Sequence, residues 1–259
     1  MQRVLFHSTI FGPIHSRRLG TSLGINLMPN DGKICSFDCL YCEAGYNAQG
    51  AGTTGIAPRE SVRDSLEKKL AQMKADGDQL DVITFSGNGE PTLHPDFEGV
   101  IDDTIALRDK YYRNVKISVL TNATRLADTA VDAALRKVDN NIMKLDSAIA
   151  ATVALMDRPA PGYDLTRTIE RIASFGRQGI VQTMITRGSH DGQIIDNSTE
   201  TEISALIEAY KMIMPGEIML YTVDRPTPEI SLCRVPVAEL VAIADRIRRE
   251  TGIPVQVSA

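Results

Sequence analysis

The sequence predicts an α/β fold, an incomplete parallel (β/α)6 barrel of TIM-like form, built as a single domain over residues 1–259. Three observations predict it. Apolar residues switch repeatedly between period 2 and period 3.6, as they must where strands alternate with helices. Strands that each return through a helix run parallel, so their sheet is buried on both faces and curls. About six such units are present, and the long loops use up chain that a complete barrel of roughly 250 residues would need for two more.

Residues 23–28 read as the first strand, followed by a long loop and a helix over 59–75 with Val62, Leu66, Leu70 and Met73 on one side. Residues 82–85 form the second strand, and Phe97, Val100, Ile101 and Ile105 the apolar stripe of the next helix. Strands at 116–120 and 142–145 flank a helical stretch near 130–138. Leu165, Ile169, Ile172 and Phe175 mark a further stripe, ending near Gly179. Strand 180–185 precedes a helix whose start carries Thr199 and Glu202 at capping-box spacing. The last unit is strand 217–223 and helix 237–251, stopped by Gly252, with 255–257 placed to extend the sheet. In such barrels chemistry sits on the loops after the strands, here 31–58, 86–95 and 121–125.

A hydrophobic content of 43% supplies a core, and the net charge of −5 argues against nonspecific nucleic-acid binding. No apolar run approaches the ~18 residues of a membrane span, and residues 1–20 lack the pattern of an export signal, so a soluble cytoplasmic protein is expected. Four cysteines in such a chain are poor disulfide material, and three lie within eight residues.

Those three, Cys35, Cys39 and Cys42, form a C-x3-C-x2-C run in the loop after the first strand, where soft thiolates can converge on a metal or cluster. Three ligands leave one iron of a four-iron cubane open. A structural zinc would need a fourth ligand from His94, His15 or Cys233.

With Tyr41 just before the last cysteine, the run resembles the signature of radical S-adenosylmethionine (SAM) enzymes. The resemblance implies a [4Fe-4S] cluster on Cys35, Cys39 and Cys42, SAM on its open iron, Tyr41 against the adenine, and reductive cleavage of SAM to methionine and a 5′-deoxyadenosyl radical. The segment Ser86-Gly87-Asn88-Gly89-Glu90-Pro91 resembles the family's glycine–glutamate–proline motif, which binds the SAM amino group. Its glycines suit close backbone approach to a ligand, and Glu90 suits a positive charge. Asn122, ending the third strand, is placed to bond a ribose hydroxyl; Asp146, ending the fourth, is placed for ribose or substrate, or equally to cap a helix. No catalytic side chain is assigned beyond these cofactor contacts, and no isoleucine-rich adenine motif is evident over 181–188. The general look is similar to a poorly characterised group loosely related to wyosine-forming enzymes.

The family resemblance implies a reduced flavodoxin or ferredoxin-type electron donor. A small-molecule or protein substrate, the latter as for a glycyl-radical activase, is preferred to tRNA because the chain is acidic. The rival from another class is a non-enzymatic α/β protein with structural zinc. Arg17 and Arg18, within Ser16-Arg17-Arg18-Leu19-Gly20, could hold a substrate carboxylate or phosphate, or lie solvated. The run from Tyr221 to Pro226 could meet the substrate, although an Asp224–Arg225 surface pair is the plainer reading. Cys233 has no companions for a second cluster. Residues 43–58, rich in Gly and Ala, read as a lid over the cofactor or as plain disorder.

Overall fold

The computed structural model describes residues 3–16, 18–225 and 227–258, so Arg17 and Pro226 of the segments above lie outside the described residues. One curled sheet runs β1 (Ile10–Ser16), β2 (Gly20–Ile25), β3 (Val82–Phe85), β4 (Lys116–Thr121), β5 (Asn140–Lys144), β6 (Gly179–His190), β8 (Glu217–Thr222), β10 (Val255–Ser258). From β2 to β10 every pairing is parallel, and β1 adds an antiparallel edge. Helices α1 (Arg59–Asp76), α2 (Phe97–Tyr111), α3 (Thr129–Arg136), α4 (Ala150–Met156), α5 (Leu165–Ala173), α6 (Glu200–Ile213) and α7 (Val237–Thr251) complete the crossovers, and short strands β7 (Gln193–Asp196) and β9 (Cys233–Arg234) pair with the end of β6. The expected half-barrel is therefore present, with 255–258 as a seventh parallel strand.

Alternation along the strands separates two interiors. Leu23, Ile25, Ile83, Phe85, Ile117 and Val119 face the helices and join one core with Val62, Leu66, Leu70 and Met73 of α1. Their neighbours Ser22, Thr84, Leu120, Ile142, Gln182 and Met219 face the other way and line a cavity of about 420 Å³ inside the curl. Ser22 and Thr84 bond each other there at 2.8 Å. Polar residues on the inward phase explain why the strands alternate instead of reading as continuous apolar runs. The curl does not close: β1 and β10 are its edges, and Gln256 Nε2 of β10 donates to the Arg18 carbonyl at 3.3 Å.

Differences from the sequence reading have local causes. β2 starts and stops three residues early, because the Asn26 amide turns back to the Met28 carbonyl at 3.0 Å and its Oδ1 accepts the Asn88 N–H at 3.0 Å. β1 escaped notice because most of its side chains are exposed and its register shifts between Phe11 and Ile14. Thr199 does cap α6, accepting from the Glu202 N–H at 3.3 Å, but the Glu202 carboxylate takes Ser147 Oγ at 2.6 Å and Thr152 Oγ1 instead of returning to the cap. Residues 43–58 are tied to the loop that precedes the cysteines. Asp31 holds Thr53 and Thr54 through both backbone and hydroxyl, and Lys33 N–H reaches the Gly50 carbonyl at 3.1 Å. Among the described residues no helix is long and apolar enough to cross a membrane.

Leu70 is wholly buried where α1 meets the sheet. Leu70→Ala should lower the unfolding free energy by about 2–5 kcal/mol, the usual range for a cavity of this kind, read as a lower urea midpoint at unchanged slope.

Candidate functional site

The three cysteines sit on a loop that leaves β2 and crosses the C-terminal rim of the sheet. Its first part is fastened to the loop after β3: Ile34 N–H donates to the Asn88 carbonyl at 3.1 Å, and Glu90 N–H to the Ile34 carbonyl at 3.0 Å, a one-residue parallel bridge. Its second part is fastened to the end of α4, where Asp38 N–H bonds the Asp157 carbonyl at 3.0 Å and Leu40 N–H the Met156 carbonyl at 3.0 Å. Asn47 adds a clamp, its amide donating to the Cys35 and Phe37 carbonyls, each at 3.2 Å. The cysteine loop is thus spread across the rim from the end of β3 to the end of α4.

Gly87 and Gly89 are required by this packing, whatever they offer a ligand. Gly89 has φ +143°, and a Cβ there would stand 1.8 Å from the Ile34 carbonyl oxygen; at Gly87, φ +134°, a Cβ would stand 2.5 Å from Asn26 Oδ1. Asn88 is wholly buried with its side chain spent on the Phe6 and Pro29 backbone, so it props the amino-terminal segment. Glu90 is also buried, and its carboxylate accepts Thr92 N–H and Oγ1, Thr121 Oγ1 and Asn122 N–H, at 2.7–3.1 Å. Burial raises its pKa, and those four donors oppose the rise. Its bonds strap the β3 loop to the end of β4. Ser86 alone of the segment presents its side chain to the interior cavity.

Asn122 lies beside the first cysteine: its Nδ2 donates to Ser36 Oγ at 2.9 Å and approaches Cys35 Sγ at 3.7 Å, while its Oδ1 accepts Thr124 N–H and Oγ1. Asn122 is thus held against the cysteine loop at the end of β4. Tyr41 and Asp146, read separately from the sequence, are joined directly, the phenol donating to Asp146 Oδ2. Asp146 also receives the Lys144 ammonium and the Met184 N–H, the last at 2.8 Å, so it stitches β5 to β6 and caps no helix. Lys144 stands over the Tyr41 ring at 4.5 Å and 2.9 Å from the buried Asp157 carboxylate.

Two buried ammoniums, Lys33 and Lys144, were missed. Lys33 is 3% exposed, bonds the Gly45 carbonyl at 2.8 Å and lies 3.4 Å from the Asp38 carboxylate; burial opposes its charge, and Cys42, Cys35 and Cys39, once ionised, together with Asp38 more than offset it. Lys144 is likewise held charged, by Asp146, Asp157 and Cys39 against burial. A lysine on the inward phase of strand 142–145 was the available signal for Lys144; nothing periodic marks Lys33.

The donor set fits a cluster that takes three thiolates. Without it burial, and then the Glu90 charge, push the Cys35 thiol up to about 12, so ligation needs a cationic partner to displace the proton. Among the described residues a fourth protein ligand is not at hand. Both ring nitrogens of His94 are engaged, with the Ala57 carbonyl at 2.8 Å and the Asp96 N–H at 3.1 Å. His15 and Cys233 are exposed, Cys233 on β9 beside the Ser231 carbonyl. Among the described residues no three His, Cys, Asp or Glu side chains converge closely enough for one metal ion, as zinc would require.

Residues 30–197 match the family described as the Radical SAM superfamily. The chain is 32% identical to a UPF0026 protein of Synechocystis sp., over 85% of this chain and 77% of that protein. It is 28% identical to a protein of Brachyspira hyodysenteriae named GTPase Obg, over 84% of this chain but only 30% of that protein's length. A radical SAM methyltransferase from Sphaerobacter thermophilus superposes with a TM-score of 0.66 at 18% identity, covering 92% of this chain and 65% of that one.

Gly89→Ala should drive its Cβ into the Ile34 carbonyl and unfasten the cysteine loop, at a cost of about 2 kcal/mol or more. Iron bound per chain after reconstitution should fall well below wild type, while far-ultraviolet circular dichroism is kept.

Proposed function

Because the chain belongs to the radical SAM superfamily, we propose that it holds a [4Fe-4S] cluster on Cys35, Cys39 and Cys42 and uses S-adenosylmethionine to abstract hydrogen from a substrate in the half-barrel. The observation that carries the reading is the trio of loop thiols with no fourth protein ligand, backed by a buried ammonium. When bound, the family's two cofactors supply one-electron cleavage of a carbon–sulfur bond of SAM, giving methionine and a 5′-deoxyadenosyl radical.

The chain's own groups hold and shield that chemistry. Lys33 offsets the charge of thiolates in a poorly solvated loop, and the Asn122 N–H beside Cys35 Sγ stabilises charge on that sulfur. Tyr41, pinned by Asp146, forms a fixed wall for the adenine. Ser86, with the backbone at Gly87 and Gly89, supplies contacts to SAM from the β3 side, whereas Asn88 and Glu90 act by positioning that loop. Structural zinc is set aside with the family assignment.

A reduced flavodoxin or ferredoxin-type protein is the proposed electron donor; the groove beside Ser36 carries Arg171 together with an Arg167–Asp164 pair, a net positive charge that suits an acidic partner. The net charge of −5 favours a small-molecule or protein substrate over tRNA. A cytoplasmic setting accords with four unpaired cysteines. Residues 1–259 are taken as one catalytic unit of oxidoreductase type.

Anaerobically reconstituted protein given SAM and dithionite should release 5′-deoxyadenosine, and Cys39→Ala should release none above background. Equal release from the two proteins, measured by chromatography, would sink the reading.

A further inference from the structure

We propose that Arg18 forms an anion-binding subsite in the interior cavity, taking the carboxylate or phosphate of a small substrate; this names a substrate class for the site just described and rests on that reading. Arg18 sits in the turn between β1 and β2, and its side chain enters the cavity of about 420 Å³ bounded by the inward residues of β2 to β8. That volume lies toward the lower end of ligand sites, which run roughly 300–1,000 Å³, and suits a small molecule.

Both acids on the cavity wall are already paired, one of them with an arginine outside the wall. Glu43 is paired with Arg225 at 2.9 Å, and Asp224 with Arg234 at 3.0 Å. Arg18 enters no ion pair among the described residues, and its Nη1 is buried without a hydrogen-bond acceptor. The Arg18 guanidinium lies over the Tyr221 ring at 4.7 Å, so its plane is fixed and the fork edge is left to a ligand. A planar fork held in this way matches the two oxygens of a carboxylate or phosphate. Around it Ser22, Thr84, Ser86 and Gln182 offer neutral donors, while Leu120, Ile142 and Met219 supply apolar wall.

The subsite also faces the cysteine loop. Tyr221 packs in one side-chain cluster with Leu40 and Tyr41 of that loop, and Glu43, next to Cys42, lines the same cavity as Arg18. An anion on Arg18 therefore anchors a substrate between the inner face of the sheet and the cofactor rim.

Calorimetric titration of the purified chain, first as isolated and then with cluster and SAM loaded, uses pyruvate and methyl phosphate as probes. Saturable binding is expected, with pyruvamide, the neutral analogue, not binding. Arg18→Gln should weaken the anion by about tenfold or more and Arg18→Lys by less, because the charge survives without the fork. Gln182→Leu, also on the wall, should weaken it several-fold and serves if Arg18→Gln melts early. The tighter of the two probes identifies carboxylate or phosphate as the group recognised. Equal affinity in wild type and Arg18→Gln, or binding of neither anion by wild type, overturns the proposal. The first titration needs neither cluster nor SAM, so its failure is separate from a failure to release 5′-deoxyadenosine.

Discussion

The site depends on one backbone contact, the two hydrogen bonds by which Ile34 lies alongside Gly89. A loop of more than thirty residues between β2 and α1 would otherwise pay its ordering entropy without placing the cysteines. The bridge makes the first cysteine a continuation of the sheet's own hydrogen-bonding. Its demands then propagate: a glycine where the strands touch, Glu90 strapping the β3 loop to β4, and Asn122 turned onto Cys35.

Electrostatics is the second constraint. Thiolates in a buried loop are costly unless paired, and two buried ammoniums act on the run, Lys33 on all three thiols and Lys144 on Cys39. Lys144 is in turn balanced by Asp146 and Asp157, the latter pushed up by burial. Removing one member of such a group leaves an uncompensated charge, so these side chains act as a set.

Much of this was legible in the residues because it follows from local rules. The limits of β3 and α7, the cysteine spacing and the glycine-rich loop after β3 are all encoded within short windows. What stayed hidden depends on contacts distant in sequence. The partners of Asn88 and Glu90, at Phe6, Pro29, Thr121 and Asn122, cannot be read from the residues around them. Residues 43–58 look loose because most of what fastens them lies outside the segment, at Asp31, Lys33, Cys35 and Phe37. Helix α4, with no polar cap and only seven residues, gives a weak periodic signal, yet its end positions Asp38 and Leu40. Lys33 carries no pattern because a buried charge is defined by what surrounds it.

The unclosed seam between β1 and β10 has a mechanical consequence. In a complete barrel, dilation is resisted by the hydrogen-bond ladder on every side. Here the Gln256 side chain and the Arg18 carbonyl meet across that gap at 3.3 Å, where a ladder would otherwise run. Along that one generatrix the girth of the lumen is therefore not fixed by strand pairing, and a change in width there would unzip no strand pair.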